Sequence, residues 1–379
     1  MLLNFIKYME KITIKYILHM FCIFPIEKNK ITLLNDLAYT YGDSMKYIDK
    51  YMHKKRRGKY RIVFPIKEGE TEYYDDILVK PRSFKYFKEL ITSEVIITNN
   101  GGVSYLPRRK MQKIISTWHG GGPYKKTSTD VYKDFWYRKQ AKLNSDNTDY
   151  ILSSCKFFSD FEAKAMGFKK EEIIPVGLPR NDVLFNEHDD IKKKVRAFYS
   201  IPENVRLVLF APTFRGDFIN AESTGKYIRL DVDRLVAALR DRFNCEWICG
   251  IRLHPKLANV NMSNLNAVNC TTYPDMQELL CSADVVVSDY SSLIWDYSFT
   301  YKPVFLYVPD IEEYEKERGF YMPLTEWPYP IAYSNEEMVH NIMCFNQEEY
   351  EEAVKEHHVL SGSYETGKAC QKVLELIEN

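Results

Sequence analysis

Short apolar and β-branched runs alternate along the chain with longer stretches in which apolar residues recur every three or four positions. The runs at 60–64, 95–98, 113–117, 150–152, 173–175, 206–211, 245–251, 285–288 and 303–306 have the length and residue types of strands. The stretches 156–166, 231–243 and 276–282 carry the helical step. Alternation of the two predicts an α/β protein built on parallel sheets with helices on both faces. Val285, Val286 and Val287 in a row fit a strand covered on both sides. The turn-rich stretch 177–189 is the best boundary. The predicted layout is a helix over 1–25, a Rossmann-like unit over 26–180, a second over 181–360 and a terminal helix over 361–379. Two doubly wound units facing across a cleft would hold a ligand at the carboxyl ends of their strands.

The first 25 residues have their own pattern. Leu2, Phe5, Ile6, Met9, Ile12, Tyr16, Ile17, Met20 and Phe21 fall on one helical face, and Lys7, Lys11 and Lys15 form a row on another. Pro25 ends the helix. Within this segment the longest stretch without Lys, Arg, Asp or Glu is 16–26, short of the roughly 20 apolar residues that span a bilayer. No small-residue cleavage site follows, so no signal peptide is expected. Such a helix either packs its apolar face on its own domain or lies in the interface of an anionic membrane. A second basic cluster, Lys54, Lys55, Arg56, Arg57 and Lys59, favours the membrane.

Composition adds one point. The 379 residues hold 52 Lys and Arg against 52 Asp and Glu, which gives no basis for a nucleic-acid binder. The balance hides an asymmetry: 1–126 carry 24 cationic and 12 acidic residues, and the remainder 28 and 40. The eight cysteines show no CxxC pair and no zinc spacing, and are read as reduced thiols.

Five polar motifs follow predicted strands. Trp118-His119-Gly120-Gly121-Gly122-Pro123, with Lys125 and Lys126, joins a glycine run that bares backbone N–H groups to a histidine able to act as a base. Gly177-Leu178-Pro179-Arg180-Asn181-Asp182 offers an arginine for phosphate and two residues able to cap a helix. Ala211-Pro212-Thr213-Phe214-Arg215-Gly216-Asp217 and Arg252-Leu253-His254-Pro255-Lys256 place further cations at strand ends. Ser288-Asp289-Tyr290-Ser291-Ser292 leads into a helix that continues to Asp296, and sets two hydroxyls at its start. A Walker A loop, a GxGxxG fingerprint and a GxSxG elbow are all absent. Asp231-Val232-Asp233 has the form of a metal-binding DxD but precedes an amphipathic stretch, and is read as a capped helix start.

In this order the motifs, with Lys302-Pro303-Val304-Phe305-Leu306-Tyr307 and Arg318-Gly319-Phe320-Tyr321 after them, resemble the CDP-glycerol glycerophosphotransferase family of teichoic-acid-type polymer synthesis. The resemblance covers nearly the whole chain. It implies a GT-B-like fold, an acceptor-side first unit and a CDP-donor-binding second unit. It implies transfer of glycerol phosphate from CDP-glycerol to a lipid-linked or polymeric acceptor, at the cytoplasmic face of a membrane; the sequence itself offers no dedicated metal cage, so no cofactor or metal is expected. His119 corresponds to the family's base and His254 to a contact of the donor pyrophosphate. Ser291 and Ser292 correspond to further phosphate contacts, and Arg180, Arg215, Asp289 and Asp296 lie in matching motifs, the first three read as further donor contacts. The chain departs from the family form at Gly121-Gly122, at Gly216 and at Thr366-Gly367, which leaves CDP-ribitol or another CDP-polyol open as donor. A nucleotide-sugar transferase or epimerase on the same fold, or a membrane-bound assembly factor, are the readings from other classes.

Overall fold

The computed structural model of the chain describes residues 2–67, 76–186, 188–213, 229–254, 262 and 264–378. They form two compact units, Met1–Asp182 together with Ser361–Asn379, and Val183–Leu360.

Among the described residues the first unit holds a seven-stranded sheet. Its strands are β1 (Glu27–Leu34), β2 (Arg61–Pro65), β3 (Ile77–Val79), β4 (Ser93–Thr98), β5 (Lys113–Ser116), β6 (Tyr150–Ser153) and β7 (Ile173–Pro175). All pair in parallel, in the order β3-β2-β1-β4-β5-β6-β7. β1 sits inside the sheet, with Ile31 opposite both Ile62 and Val95. Successive residues of β1 serve opposite faces. Ile31 and Leu33 join a core with the helix Asp43–Arg56, while Leu34 joins one with the helix Phe84–Thr92 and Leu18.

β1 is not among the predicted runs, because Lys28 and Lys30 break its apolar pattern. Lys30 is nevertheless buried. Its ammonium meets Glu27 at 3.0 Å and also contacts Glu89 and Thr92, so the charge is compensated where burial alone would be costly.

The second unit holds a six-stranded sheet of β8 (Arg206–Phe210), β9 (Trp247–Ile251), β10 (Ala267–Asn269), β11 (Val285–Ser288), β12 (Val304–Tyr307) and β13 (Ile331–Ala332), in the order β10-β9-β8-β11-β12-β13, again parallel. β8 and β11, like β1 and β4, are neighbours on either side of the point where strand order reverses. In open parallel sheets that point is where ligands bind, beyond the carboxyl ends. β3, β10 and β13, of two or three residues, are not among the predicted runs.

The carboxy-terminal segment belongs to the first unit. Ser363 bridges Cys155 in antiparallel fashion. The helix Ala369–Glu378 then buries Cys370, Val373 and Leu374 in the core beside the helix Asp43–Arg56.

The amino-terminal helix runs over Leu2–Leu18, and a 3₁₀ turn over His19–Ile23 follows. It is anchored through Phe5 and Tyr8, whose rings lie 4.7 and 5.5 Å from that of Trp136, and through buried Leu18. Its orientation differs from the expectation that the apolar face packs on its own domain. Leu2, Leu3, Ile6, Met9, Tyr16, Ile17, Met20 and Ile23 point to solvent. Lys11 and Lys15 are turned inward, and their pKa values are lowered chiefly by burial. Most of the apolar stripe is thus left outside, although Phe5 and Phe21 of the same face pack inward, and two of the three lysines of the row face the protein.

Candidate active site

In the first unit the residues that leave β1, β4 and β5 converge. Asn99, directly after β4, is the hub. Its Nδ2 donates to Asp43 Oδ2 at 2.7 Å and to Asn35 Oδ1 at 2.8 Å. Its Oδ1 accepts from the Asp36 N–H at 3.1 Å, and its carbonyl lies 3.0 Å from His119 Nδ1. A carbonyl only accepts, so Nδ1 carries the proton and Nε2 keeps its lone pair. His119 is half-buried, and the surrounding protein removes water from its ring. Burial is the main reason its pKa falls to about 4; Arg180 and Lys125 lower it further, while the Asn99 carbonyl and Asp43 oppose them. His119 is therefore neutral at pH 7, with an unprotonated nitrogen in a fixed tautomer.

The local backbone explains why the loop presents this ring. Trp118 adopts φ of 55°, costly for a large side chain. Its N–H is held by Ser116 Oγ at 3.2 Å, and its ring centroid lies 4.1 Å from that of His119. Gly122, at φ of 80°, donates its N–H to Ser154 Oγ at 3.2 Å. A glycine is needed there for the conformation.

Asp43, which the motif reading missed, completes the group. It opens its helix at φ of 54°. Its Oδ1 accepts from Arg180 Nη1 at 3.2 Å and from the Ser44 N–H at 2.7 Å. No motif flags it, since a single aspartate before an amphipathic helix reads as a cap. Asn35 and Asn99 escaped for the same reason. Arg180 is buried. Asp182 does cap a helix, but a distant one: it accepts from the N–H groups of Ala369 and Cys370, both at 2.8 Å.

In the second unit Asp289 is read from the sequence as a donor contact, but the structure gives it protein partners. It accepts from the Thr213 N–H at 2.9 Å, from Thr213 Oγ1 at 2.6 Å and from the Tyr290 N–H at 2.6 Å. It ties the loop after β8 to the loop after β11, and a carboxylate so placed would repel phosphate. Asp296 is buried and accepts from Gln277 Nε2 at 3.1 Å. Ser291 and Ser292 are partly exposed. Ser292 precedes the helix Leu293–Ser298 and makes no side-chain cap. That helix has only six residues, so the hydroxyls and turn N–H groups, not a long helix dipole, are what this loop offers an anion. His254 is exposed just beyond β9. Its neighbour Arg252 is structural, donating to the carbonyls of Cys270 and Tyr273 at 3.1 and 2.7 Å. Arg215 and Asp217 lie outside the described residues. Asp231 caps its helix by accepting from the Arg234 N–H at 3.1 Å, as the DxD pattern was read.

Among the described residues one group has ligand atoms close enough to hold a metal ion: Asp49, His53 and Asp76, within 4.8 Å of one another. Its members are an i,i+4 pair on one helix and a residue from a different segment. His53 Nε2 lies 2.9 Å from Asp76 and 3.4 Å from Asp49, the distances of side chains bonded to one another.

The sequence profile of the CDP-glycerol:poly(glycerophosphate) glycerophosphotransferase family matches residues 16–379. The chain belongs to this family. It is 28% identical over 359 residues to a teichoic acid poly(glycerol phosphate) polymerase of Staphylococcus epidermidis, covering 89% of this chain and 48% of that protein. It is 30% identical over 289 residues to a teichoic acid ribitol-phosphate primase of Bacillus spizizenii, covering 72% of this chain and 71% of the other. The chain spans about half the length of two of the glycerol-phosphate polymerases it matches. Among solved structures, the wall teichoic acid polymerase TagF superposes with a TM-score of 0.84 at 25% identity, over 100% of this chain and 97% of that one. A UDP-GlcNAc 2-epimerase of Neisseria meningitidis, at 13% identity and a TM-score of 0.52, shares the fold.

Proposed function

We propose that the chain transfers glycerol phosphate from CDP-glycerol to a hydroxyl of a membrane-linked acceptor in teichoic-acid-type polymer synthesis. The acceptor oxygen attacks the phosphorus that bears the glycerol, the bond from that phosphorus to CMP breaks, and CMP leaves. His119 Nε2 takes the hydroxyl proton. His254, Ser291 and Ser292 contact the donor phosphates, with Arg180 and Arg215 as further cations. The observation that carries the reading is the fixed tautomer of His119, whose Nδ1 proton is engaged by the Asn99 carbonyl. The family match and a TagF structure soaked with CDPG support the donor.

CDP-ribitol is the second reading, favoured by the 30% identity to a ribitol-phosphate primase. CMP release from CDP-glycerol, CDP-ribitol and UDP-GlcNAc with a panel of lipid-linked acceptors tests both. CMP appearing chiefly from CDP-glycerol supports the first, and chiefly from CDP-ribitol the second. No release from any CDP-polyol overturns both.

The outward stripe of the amino-terminal helix supports work at the cytoplasmic face of a membrane. Among the described residues no helix is long and apolar enough to cross one, but the stripe suits an interfacial helix. Exposed Phe84 lies 5.0 Å from Phe21, and Phe135 lies 5.1 Å from Trp136, so the apolar surface continues beyond the helix. Lys88 and Lys139 sit over the rings of Phe24 and Phe135. In the second basic cluster, Glu378 pairs with Arg56 and Lys59, while Lys54, Lys55 and Arg57 are exposed. Because Lys11 and Lys15 face inward, burial of apolar area should dominate binding. We expect Ile6→Glu with Ile17→Glu to lower partition onto phosphatidylglycerol-containing vesicles at least about tenfold, and Lys11→Gln with Lys15→Gln to change it less than about twofold. Co-sedimentation measures this; the reverse ranking would remove the stripe as the contact.

A further inference from the structure

Resting on the proposed transfer, a question remains about what holds Arg180 in place. Arg180 stands in the loop by which the chain leaves the first unit, between Gly177 and Asp182. A carboxylate from the other end of the sequence lies against that loop. Glu365 is buried. Each of its oxygens accepts from the Leu178 N–H at 3.1 Å, and Oε1 also accepts from Asn181 Nδ2 at 3.0 Å. Gly177 makes the approach possible. Its φ is 83°, and a Cβ there would stand 2.6 Å from Glu365 Oε2, closer than any side chain tolerates. Asp182, at the loop's far end, caps the helix that begins four residues after Glu365. The loop is thus clasped at both ends by the returning carboxy-terminal segment, and Arg180 lies between the two clasps.

We infer that Glu365 is a positioning residue for the transfer, which through Leu178 and Asn181 sets the Arg180 guanidinium against Asp43 and beside His119. It touches none of the reacting atoms. Its role is to fix a cation near the base, and such placement carries rate only when held to a fraction of an ångström. The charged groups facing His119 are Asp43, Arg180 and Lys125. Arg180 depresses the imidazole's pKa, so loosening it should raise the pKa of His119.

The variants are Glu365→Gln, whose carbonyl oxygen can still accept from Asn181 while its amide N–H meets the Leu178 N–H where Oε2 accepted, and Asn181→Ala, which removes one donor without strain. Gln371→Ala, exposed on the same terminal helix, is the control. In the full chain, CMP release gives kcat and KM, and NMR of [13C]histidine-labelled protein, with His119 assigned by His119→Asn, gives its titration without needing turnover. We expect kcat to fall about tenfold or more for Glu365→Gln and by a smaller factor for Asn181→Ala, with the KM for CDP-glycerol unchanged within about twofold. We expect His119 to titrate higher in both variants, and the control to match wild type. A fall in kcat only in proportion to the folded fraction, with His119 titrating as in wild type, overturns the inference. If the wild-type chain releases no CMP, the transfer reading fails on its own, and the His119 titration still decides whether Glu365 sets the environment of that ring.

Discussion

His119→Ala is expected to lower CMP release by about 10²- to 10⁴-fold, the range typical of a positioned general base, while CDP-glycerol still binds and the fold holds. The ring is tied to the protein by one hydrogen bond, to the Asn99 carbonyl, and by its contact with Trp118, so its loss leaves the Asn99–Asp43–Arg180 network standing. The pH profile separates a base from a merely structural histidine. With the pKa pushed down to about 4 by burial, the free chain keeps Nε2 unprotonated well below pH 6.5. We therefore expect kcat/KM, which reports the free enzyme, to stay flat on its acid side from pH 8 to about 5.5. A bound donor brings negative charge near the ring and raises its pKa, so the limb in kcat should lie higher than the limb in kcat/KM. Stopped assays of CMP release across pH check both. Turnover of His119→Ala within about threefold of wild type would exclude the base assignment, and an acid limb of kcat/KM near 6.5 would exclude the desolvated environment.

The limits of the sequence pattern follow from the same residues. His119, His254, Ser291 and Ser292 were legible as candidates because each stands in a polar motif just after an apolar run, and loops at the carboxyl ends of parallel strands are where ligand-binding groups gather. Asp43, Asn35 and Asn99 were not, since each is a common turn or cap residue. They become a network only when β1 and β4 lie side by side, and β1 itself is disguised by Lys28 and Lys30. Asp289 was legible as a site residue but not in its role, because spacing does not reveal that Thr213, 76 positions away, takes up its carboxylate. Amphipathicity placed the amino-terminal helix but not its orientation. A stripe and a lysine row look the same whichever of them meets the protein, and the aromatic anchor on Trp136 decides the matter.

Burial of His357 and His358 leads to the second large expectation, loss of the Val183–Leu360 unit in mild acid. Both are buried on the helix Gln347–Ser361. Ser298 Oγ donates to the Trp295 carbonyl at 2.7 Å, so it accepts from His358 Nε2 at 2.7 Å. The His358 ring stacks on Phe299, with centroids 4.4 Å apart. Burial depresses the two pKa values to about 3 and about 4, and His358 adds to the effect on His357. Unfolding exposes imidazoles that titrate near 6.5. Both groups are neutral in either state above that value, so their contribution is fully present there. It is lost as pH falls below 6.5, because only the unfolded chain gains protons. At pH 5 each group costs about 2 kcal/mol and the pair about 4 kcal/mol, at about 1.4 kcal/mol per pH unit per group. In the first unit His119 acts in the same sense, but Asp49 opposes it. Burial, with Asp76 beside it, raises the Asp49 carboxyl to about 7, so its folded form gains protons first and is stabilised as pH falls. The two units should therefore separate in calorimetry between pH 7.5 and 5, with the transition of the second falling further. His357→Gln, which cannot titrate, should remove about half of that fall. An unchanged lower transition at pH 5 would mean that the imidazoles are hydrated in solution.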